Sequence, residues 1–186
     1  MDIKEFLDQS AGKWFSQRTN HYIASVPAQS GKSDIVIEIL ANDVPEVVQL
    51  CQQYNIAPAA ALCGVKTNWD GIMAGEAKKR VGSTIFVPVP NSDQPNQGKI
   101  LRPIGNSQKP TVTGHYILAK DDSLTMITED EKIYTEERLW YASPNLRFRT
   151  NIIKQFGGFS QTSFCSEIRM GITKPPQKTA DAAASA

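Results

Sequence analysis

Short strand-like segments separated by turn signals are the feature of this sequence that most limits its fold. The segments are predicted at roughly 13–25, 33–40, 59–68, 84–89, 99–103, 112–119, 124–128, 133–141, 147–154 and 163–172. Turn-forming clusters punctuate them at 70–71, 120–122, 130–131, 143–145 and 157–158. Strands at such short, even spacing favour an all-β fold, a closed up-and-down antiparallel barrel of about ten strands with one or two helices.

Two helices are predicted beside these strands. Residues 2–9 place Ile3, Phe6 and Leu7 on one side of a short N-terminal helix. A second helix is expected to begin at Asp43, with Glu46 three residues later completing a capping box. The sequence therefore predicts a helix at the start of the barrel and another inserted after the second strand.

Length and charge set the broad class. The chain has 186 residues and a formal net charge of +1, so we predict one barrel domain over residues 1–173 and no nucleic-acid or membrane partner. The tail at 174–186 lacks core-forming side chains and is expected to be disordered. The first residues are mixed in charge, without the apolar run of a secretory signal, which favours a cytoplasmic location.

The three cysteines, Cys51, Cys63 and Cys165, are far apart and form no Cys-x-x-Cys pair. In a cytoplasmic protein we expect reduced thiols that act as small buried apolar groups. A transient covalent role for one of them is the alternative. Two histidines and scattered cysteines predict no metal site.

Side-chain alternation along the strands shows which residues share a face. Arg147 and Arg149 share one face of their strand, where they either bind a carboxylate or phosphate in bidentate fashion or form a solvated surface. Tyr134, Glu136, Arg138 and Trp140 share a face of the preceding strand. There Glu136 either has its pKa raised between aromatic rings in a dry site or pairs with Arg138 at a rim.

The first strand carries a second group of candidates. Trp14, Arg18 and Tyr22 share one face, whereas His21 has the opposite parity and joins them only if the strand bulges or ends. Gly12-Lys13-Trp14 matches the Gly-x-Trp that opens the first strand of lipocalin-like barrels. In this interpretation Trp14 closes one end of the barrel and Arg169 covers its indole through a cation–π contact.

At these residues the chain resembles the S-type (CpcS/CpeS) phycobilin lyases of cyanobacteria and related plastids. The matching pieces are residues 1–6 (MDIKEF), 12–21 (GKWFSQRTNH), 30–34 (SGKSD), Trp69, 136–140 (EERLW) and 144–149 (PNLRFR). The resemblance implies a barrel like those of lipocalins and fatty-acid-binding proteins. It also implies a lyase that takes up a linear tetrapyrrole, mainly phycocyanobilin, and transfers it to a cysteine of an apo-phycobiliprotein.

The resemblance further implies site residues and partners. Arg18, Trp69, Trp140, Arg147 and Arg149 are expected to bind the bilin. Glu136 and His21 match the same pocket, and our own hypothesis makes them the catalytic groups, which hold the pyrrole nitrogens and supply a proton. No permanently bound cofactor is implied, and phycocyanobilin is the expected substrate, with phycoerythrobilin as an alternative. Expected acceptors are the phycocyanin β-subunit or an allophycocyanin subunit, and a homodimer or a heterodimer with a sister lyase subunit is possible. A non-catalytic tetrapyrrole or fatty-acid carrier remains the competing function.

Overall fold

The chain folds into a closed barrel of ten antiparallel strands. The computed structural model describes residues 1–22, 27–103, 113–155, 157–158 and 160–171. The strands are β1 (Gly12–Tyr22), β2 (Gln29–Leu40), β3 (Gly64–Met73), β4 (Arg80–Pro90), β5 (Gln97–Leu101), β6 (Gly114–Leu118), β7 (Leu124–Glu129), β8 (Ile133–Ser143), β9 (Leu146–Gln155) and β10 (Ser160–Arg169). Each strand pairs with its sequence neighbours and β10 closes on β1, so the predicted up-and-down barrel is confirmed. The predicted disordered tail lies outside the described residues.

One predicted turn is wrong. Asp70 and Gly71 lie within β3, which continues to Met73. A Cβ atom on Gly71 would lie 2.2 Å from the Oγ atom of Ser33 on β2. The glycine therefore permits close approach of two strands, and the chain turns later, at Gly75, where φ is +83°.

The first helix, α1 (Ile3–Ser10), covers one end of the barrel, which we call the lower end. Asp2 caps the helix, and its side chain and that of Glu5 form a reciprocal capping box. Ile3, Phe6 and Leu7 are buried in the barrel core together with Trp14. The predicted apolar side of this helix is thus the surface that closes the barrel.

The second helix, α2 (Pro45–Gln53), packs outside the barrel. Val47, Leu50 and Cys51 pack against Val87 of β4 and Leu101 of β5 in a separate apolar cluster. The predicted Asp43 cap is wrong, because Val44 occupies the N-cap position and makes no side-chain cap bond. A residue before proline is held in an extended conformation, so the helix begins at Pro45 and Asp43 lies one position too early. Among the described helices, none has the length and apolar character needed to cross a membrane.

Candidate ligand-binding site

Strand register divides the inner surface of the barrel into two walls. The polar wall, on strands β8, β9, β10 and β1, comprises Ser16, Arg18, Asn20, Glu137, Arg147, Arg149, Asn151, Ser163, Cys165 and Glu167. The apolar wall, on β2 to β7, comprises Ile35, Ile37, Val65, Trp69, Phe86, Ile100, Tyr116, Leu118, Leu124 and Met126. An interior with one charged and one apolar side suits an amphipathic ligand.

Five charged side chains join across the polar wall in an ion chain of alternating sign. The chain runs Arg102–Glu137–Arg149–Glu167–Arg147. Glu167 is fully buried and accepts hydrogen bonds from Nε of Arg147 at 2.5 Å and from Oγ of Ser16 at 3.2 Å. Arg149 contacts Glu167 at 2.8 Å and Glu137 at 3.0 Å. Both carboxylates are thus bridged between guanidiniums.

The two glutamates of the ion chain remain ionised. Burial by itself raises the pKa of Glu167, but Arg149 and Arg147 outweigh burial and hold that pKa below its ordinary value. The same balance, with Arg149 and Arg102 as the cations, lowers the pKa of Glu137. These groups are therefore hydrogen-bond acceptors at neutral pH and do not act as proton donors.

Trp14 anchors the lower end of the polar wall. The predicted cation–π contact is confirmed, since the guanidinium carbon of Arg169 lies 4.2 Å from the Trp14 ring centroid. Arg147 makes a second such contact at 4.5 Å, and the indole nitrogen donates to the carbonyl of Ser10 at 2.9 Å. Arg147 is consequently occupied by Trp14 and Glu167, and its surroundings are those of a structural residue.

Arg18 and Trp69 both lie on the inner surface of the barrel, Arg18 on β1 and Trp69 on β3. Arg18 has the inward parity of Trp14, Ser16 and Asn20, yet it is exposed and makes no ion pair with any described residue. Trp69 is half-buried against the core and lies over Gly82, where an added Cβ would be 2.3 Å from the indole. The inner surface thus offers a ligand an exposed guanidinium and a half-buried indole.

Three of the predicted site residues lie on the outer surface of the barrel. Glu136 accepts a hydrogen bond from the Tyr134 hydroxyl at 2.5 Å, and Trp140 packs on Phe148 with ring centroids 5.7 Å apart. His21 pairs in regular register with Thr162, so the bulge needed to turn it inward is absent from β1. Tyr134, Glu136, Arg138 and Trp140 share a face as expected, but that face points away from Arg18 and Trp69.

Comparisons with known proteins show which family has this sequence and this barrel. A family model described as CpeS-like protein matches residues 2–170. The chain belongs to the CpeS-like family. It is 53% identical over 175 residues to the chromophore lyase CpcS/CpeS of Thermosynechococcus vestitus, covering 94% of this chain and 96% of that protein.

Two further relatives span nearly the whole chain. The phycocyanobilin lyase subunit CpcS of Picosynechococcus is 39% identical, with 97% of this chain and 92% of that protein covered. The structure of the S-type phycobiliprotein lyase CPES from Guillardia theta superposes with a TM-score of 0.81 at 31% identity. The superposition covers 93% of this chain and 95% of the Guillardia theta chain. The barrel described here is therefore the fold of a solved member of the family.

Sequence reasoning missed the carboxylates and one arginine of the ion chain. Glu137 shares a face of β8 with Leu139, and Glu167 shares a face of β10 with Cys165. Strand alternation gives these groupings, but the sequence of β8 does not say which of its two faces points inward. Arg102 follows a short strand, and nothing in its local sequence marks it. A structure was needed to show that its guanidinium turns into the barrel.

All three cysteine thiols are free and buried. Burial raises the pKa of Cys63 to about 11 and also raises that of Cys51, so neither forms a thiolate readily. We expect the native protein to react negligibly with 5,5′-dithiobis(2-nitrobenzoate), and the protein unfolded in urea to release three equivalents of thionitrobenzoate. Fast release of one equivalent from the native protein would contradict this expectation and revive a covalent role, with Cys165 as the candidate closest to Arg149.

Proposed function

We propose that this protein is a phycobilin lyase. It binds a linear tetrapyrrole, phycocyanobilin in the first instance, non-covalently in the barrel and catalyses formation of its thioether with a cysteine of an apo-phycobiliprotein. The observation that carries the proposal is the two-sided interior, in which Arg18 and Arg149 belong to the polar wall and Trp69 belongs to the apolar wall. Membership of the CpeS-like family supports the choice of ligand.

The two walls match the two chemical parts of a bilin. Its conjugated rings are flat and apolar and would stack on Trp69, while its two propionates need cationic partners. Arg18 is available for a propionate, whereas Arg149 contributes through its exposed part while held by Glu137 and Glu167. The guanidinium of Arg147 packs on Trp14 and pairs with Glu167. Arg147 therefore stabilises the polar wall and does not contact the ligand.

The proposed reaction forms one carbon–sulfur bond. The acceptor thiolate adds to the ethylidene carbon on the A-ring of the bilin, and the electron pair displaced into the conjugated system takes up a proton. By fixing the bilin conformation, the barrel decides which face the thiolate attacks. A proton transfer by Glu136 or His21 would have to take place at the outer surface, at a bilin edge or acceptor group that reaches it, since neither residue lines the interior.

The acceptor is proposed to be a phycocyanin β-subunit or an allophycocyanin subunit. The Picosynechococcus relative is named a lyase subunit, which suggests a sister lyase subunit as a partner. Whether this chain transfers bilin alone tests that requirement. The competing function, a tetrapyrrole or fatty-acid carrier, uses the same interior and differs only in lacking transfer.

Transfer is therefore the experiment that tests the proposal. The purified protein is mixed with phycocyanobilin, an apo-phycocyanin β-subunit is added, and visible absorption is followed. After denaturation in acid urea, zinc-enhanced bilin fluorescence on the acceptor band reports the covalent adduct. Faster formation of one red-absorbing adduct than without the protein is expected. A bilin-induced spectral change without faster transfer to any of the proposed acceptors, with or without a sister subunit, would identify a carrier.

A further inference from the structure

Arg102 lies at the end of the barrel opposite α1, since α1 contacts Asn96 just before β5 and Arg102 follows that strand. It is the most exposed arginine of the ion chain. It follows β5, and its guanidinium carbon lies 5.9 Å from the ring centroid of Phe86 on the apolar wall. Its Nη2 atom lies 3.6 Å from Oε2 of Glu137. The Arg102 side chain is 41% exposed, compared with 19% for Arg149 and 4% for Arg147.

The guanidinium of Arg102 has donors that no described residue uses for a hydrogen bond. No described residue accepts a hydrogen bond from its side chain, and its Nε atom is buried without a partner. The Nε atom of Arg149 is buried without a partner as well. Unsatisfied buried donors are costly in a folded protein, so an acceptor that a ligand brings to this surface would relieve that cost.

The charge balance of the interior leads to the same conclusion. Three guanidiniums and two carboxylates make up the ion chain, which leaves one positive charge in excess, and Arg18 has no ion pair among the described residues. Outside the described residues the sequence contains a single acidic side chain, Asp181 near the C-terminus. Among the described residues, Arg102 thus pairs only with Glu137, which Arg149 shares, and no carboxylate pairs with Arg18.

We propose that Arg102 binds one carboxylate of the ligand and that Arg18 binds the other. Arg18 lies on β1 and Arg102 directly follows β5, with Trp69 on β3 midway between these strands. A flat ligand stacked on Trp69 would thus have a guanidinium on each side. This inference rests on the proposed function, since it assumes that the ligand is a bilin with two propionates.

The test combines an Arg102→Gln variant with a ligand whose carboxylates are masked. Dissociation constants are measured by absorption titration for phycocyanobilin and for its dimethyl ester, with wild type and variant. A charged hydrogen bond to a carboxylate predicts an affinity loss of about 10- to 100-fold for the diacid in the variant. The ester should show almost no difference between the two proteins, because it offers no carboxylate to either one.

The control is Arg138→Gln, which removes an arginine paired with Asp121 on the outer surface and should leave both affinities unchanged. A urea titration of each variant checks that the fold is intact. Equal affinity loss for diacid and ester, or no loss for either, would overturn the role of Arg102 while leaving bilin binding established. Failure of the wild type to bind either form would overturn the proposed function itself.

Discussion

Replacement of Glu167 by glutamine is expected to lower the free energy of unfolding by about 3–5 kcal/mol. The carboxylate is fully buried and neutralises Arg147 at 2.5 Å and Arg149 at 2.8 Å. Glutamine has nearly the same shape but no charge, so two guanidiniums would remain in the interior with less compensation. Urea denaturation followed by tryptophan fluorescence measures the loss, since buried Trp14 lies beside this group.

Two further measurements make this prediction specific. Glu129→Gln, at an exposed position ending β7, should change stability by no more than about 0.5 kcal/mol. Adding Arg147→Met to Glu167→Gln should recover part of the loss, because the double variant no longer buries that unpaired cation. If Glu167→Gln lowers the free energy of unfolding no more than Glu129→Gln does, Glu167 does not stabilise the polar wall.

The same variant should alter the acid limb of the stability profile. Because the pKa of Glu167 is lower in the folded protein than in the unfolded chain, its ionised form contributes stability above the ordinary glutamate value of about 4.3. That contribution is lost as the pH falls below this value toward the folded-state pKa. The stability difference between wild type and Glu167→Gln should therefore narrow in acid.

Replacement of Trp69 by alanine is expected to weaken bilin binding by about 10- to 100-fold, as when an aromatic stacking platform is removed from a flat heterocycle. Trp69 is the half-buried tryptophan on the apolar wall. Trp140→Ala is the matched control, because Trp140 is half-buried on the outer surface beside Phe148 and Phe164. Its removal should leave the dissociation constant for phycocyanobilin within about two-fold of wild type, since its ring contacts among the described residues, with Phe148, Phe164 and Arg138, lie on the outer surface.

Glu136→Gln and His21→Gln belong in the same series. Both residues lie on the outer surface, so bilin affinity should be retained, and the rate of transfer to the acceptor then reports any role in the reaction. Slower transfer with unchanged binding would support action at the surface that meets the acceptor. Unchanged transfer would remove both residues from the mechanism. Loss of affinity in Trp140→Ala equal to that in Trp69→Ala would mean that the ligand binds outside the barrel.

The sequence alone determined the fold and the grouping of side chains. Turn chemistry and strand length predicted the ten-stranded barrel, and the Gly-x-Trp pattern led to the contact between Trp14 and Arg169. Alternation placed Arg147 with Arg149, and Glu136 with Trp140, as the register confirms. These features are local, because the strand period of two and the residues of a turn act within a few positions of the chain.

Only the tertiary structure decided which face of each strand points inward and which charges meet there. Strand β8 carries charged and aromatic residues on both faces, so its sequence did not distinguish Glu136, which lies outside, from Glu137, which lies inside. The ion chain joins side chains of β8, β9 and β10 with Arg102, which follows β5. Arg102 and Glu167 are 65 positions apart in the sequence, and closure of the barrel brings them together. Contacts of this range depend on the register of the closed barrel, which local periodicity does not encode.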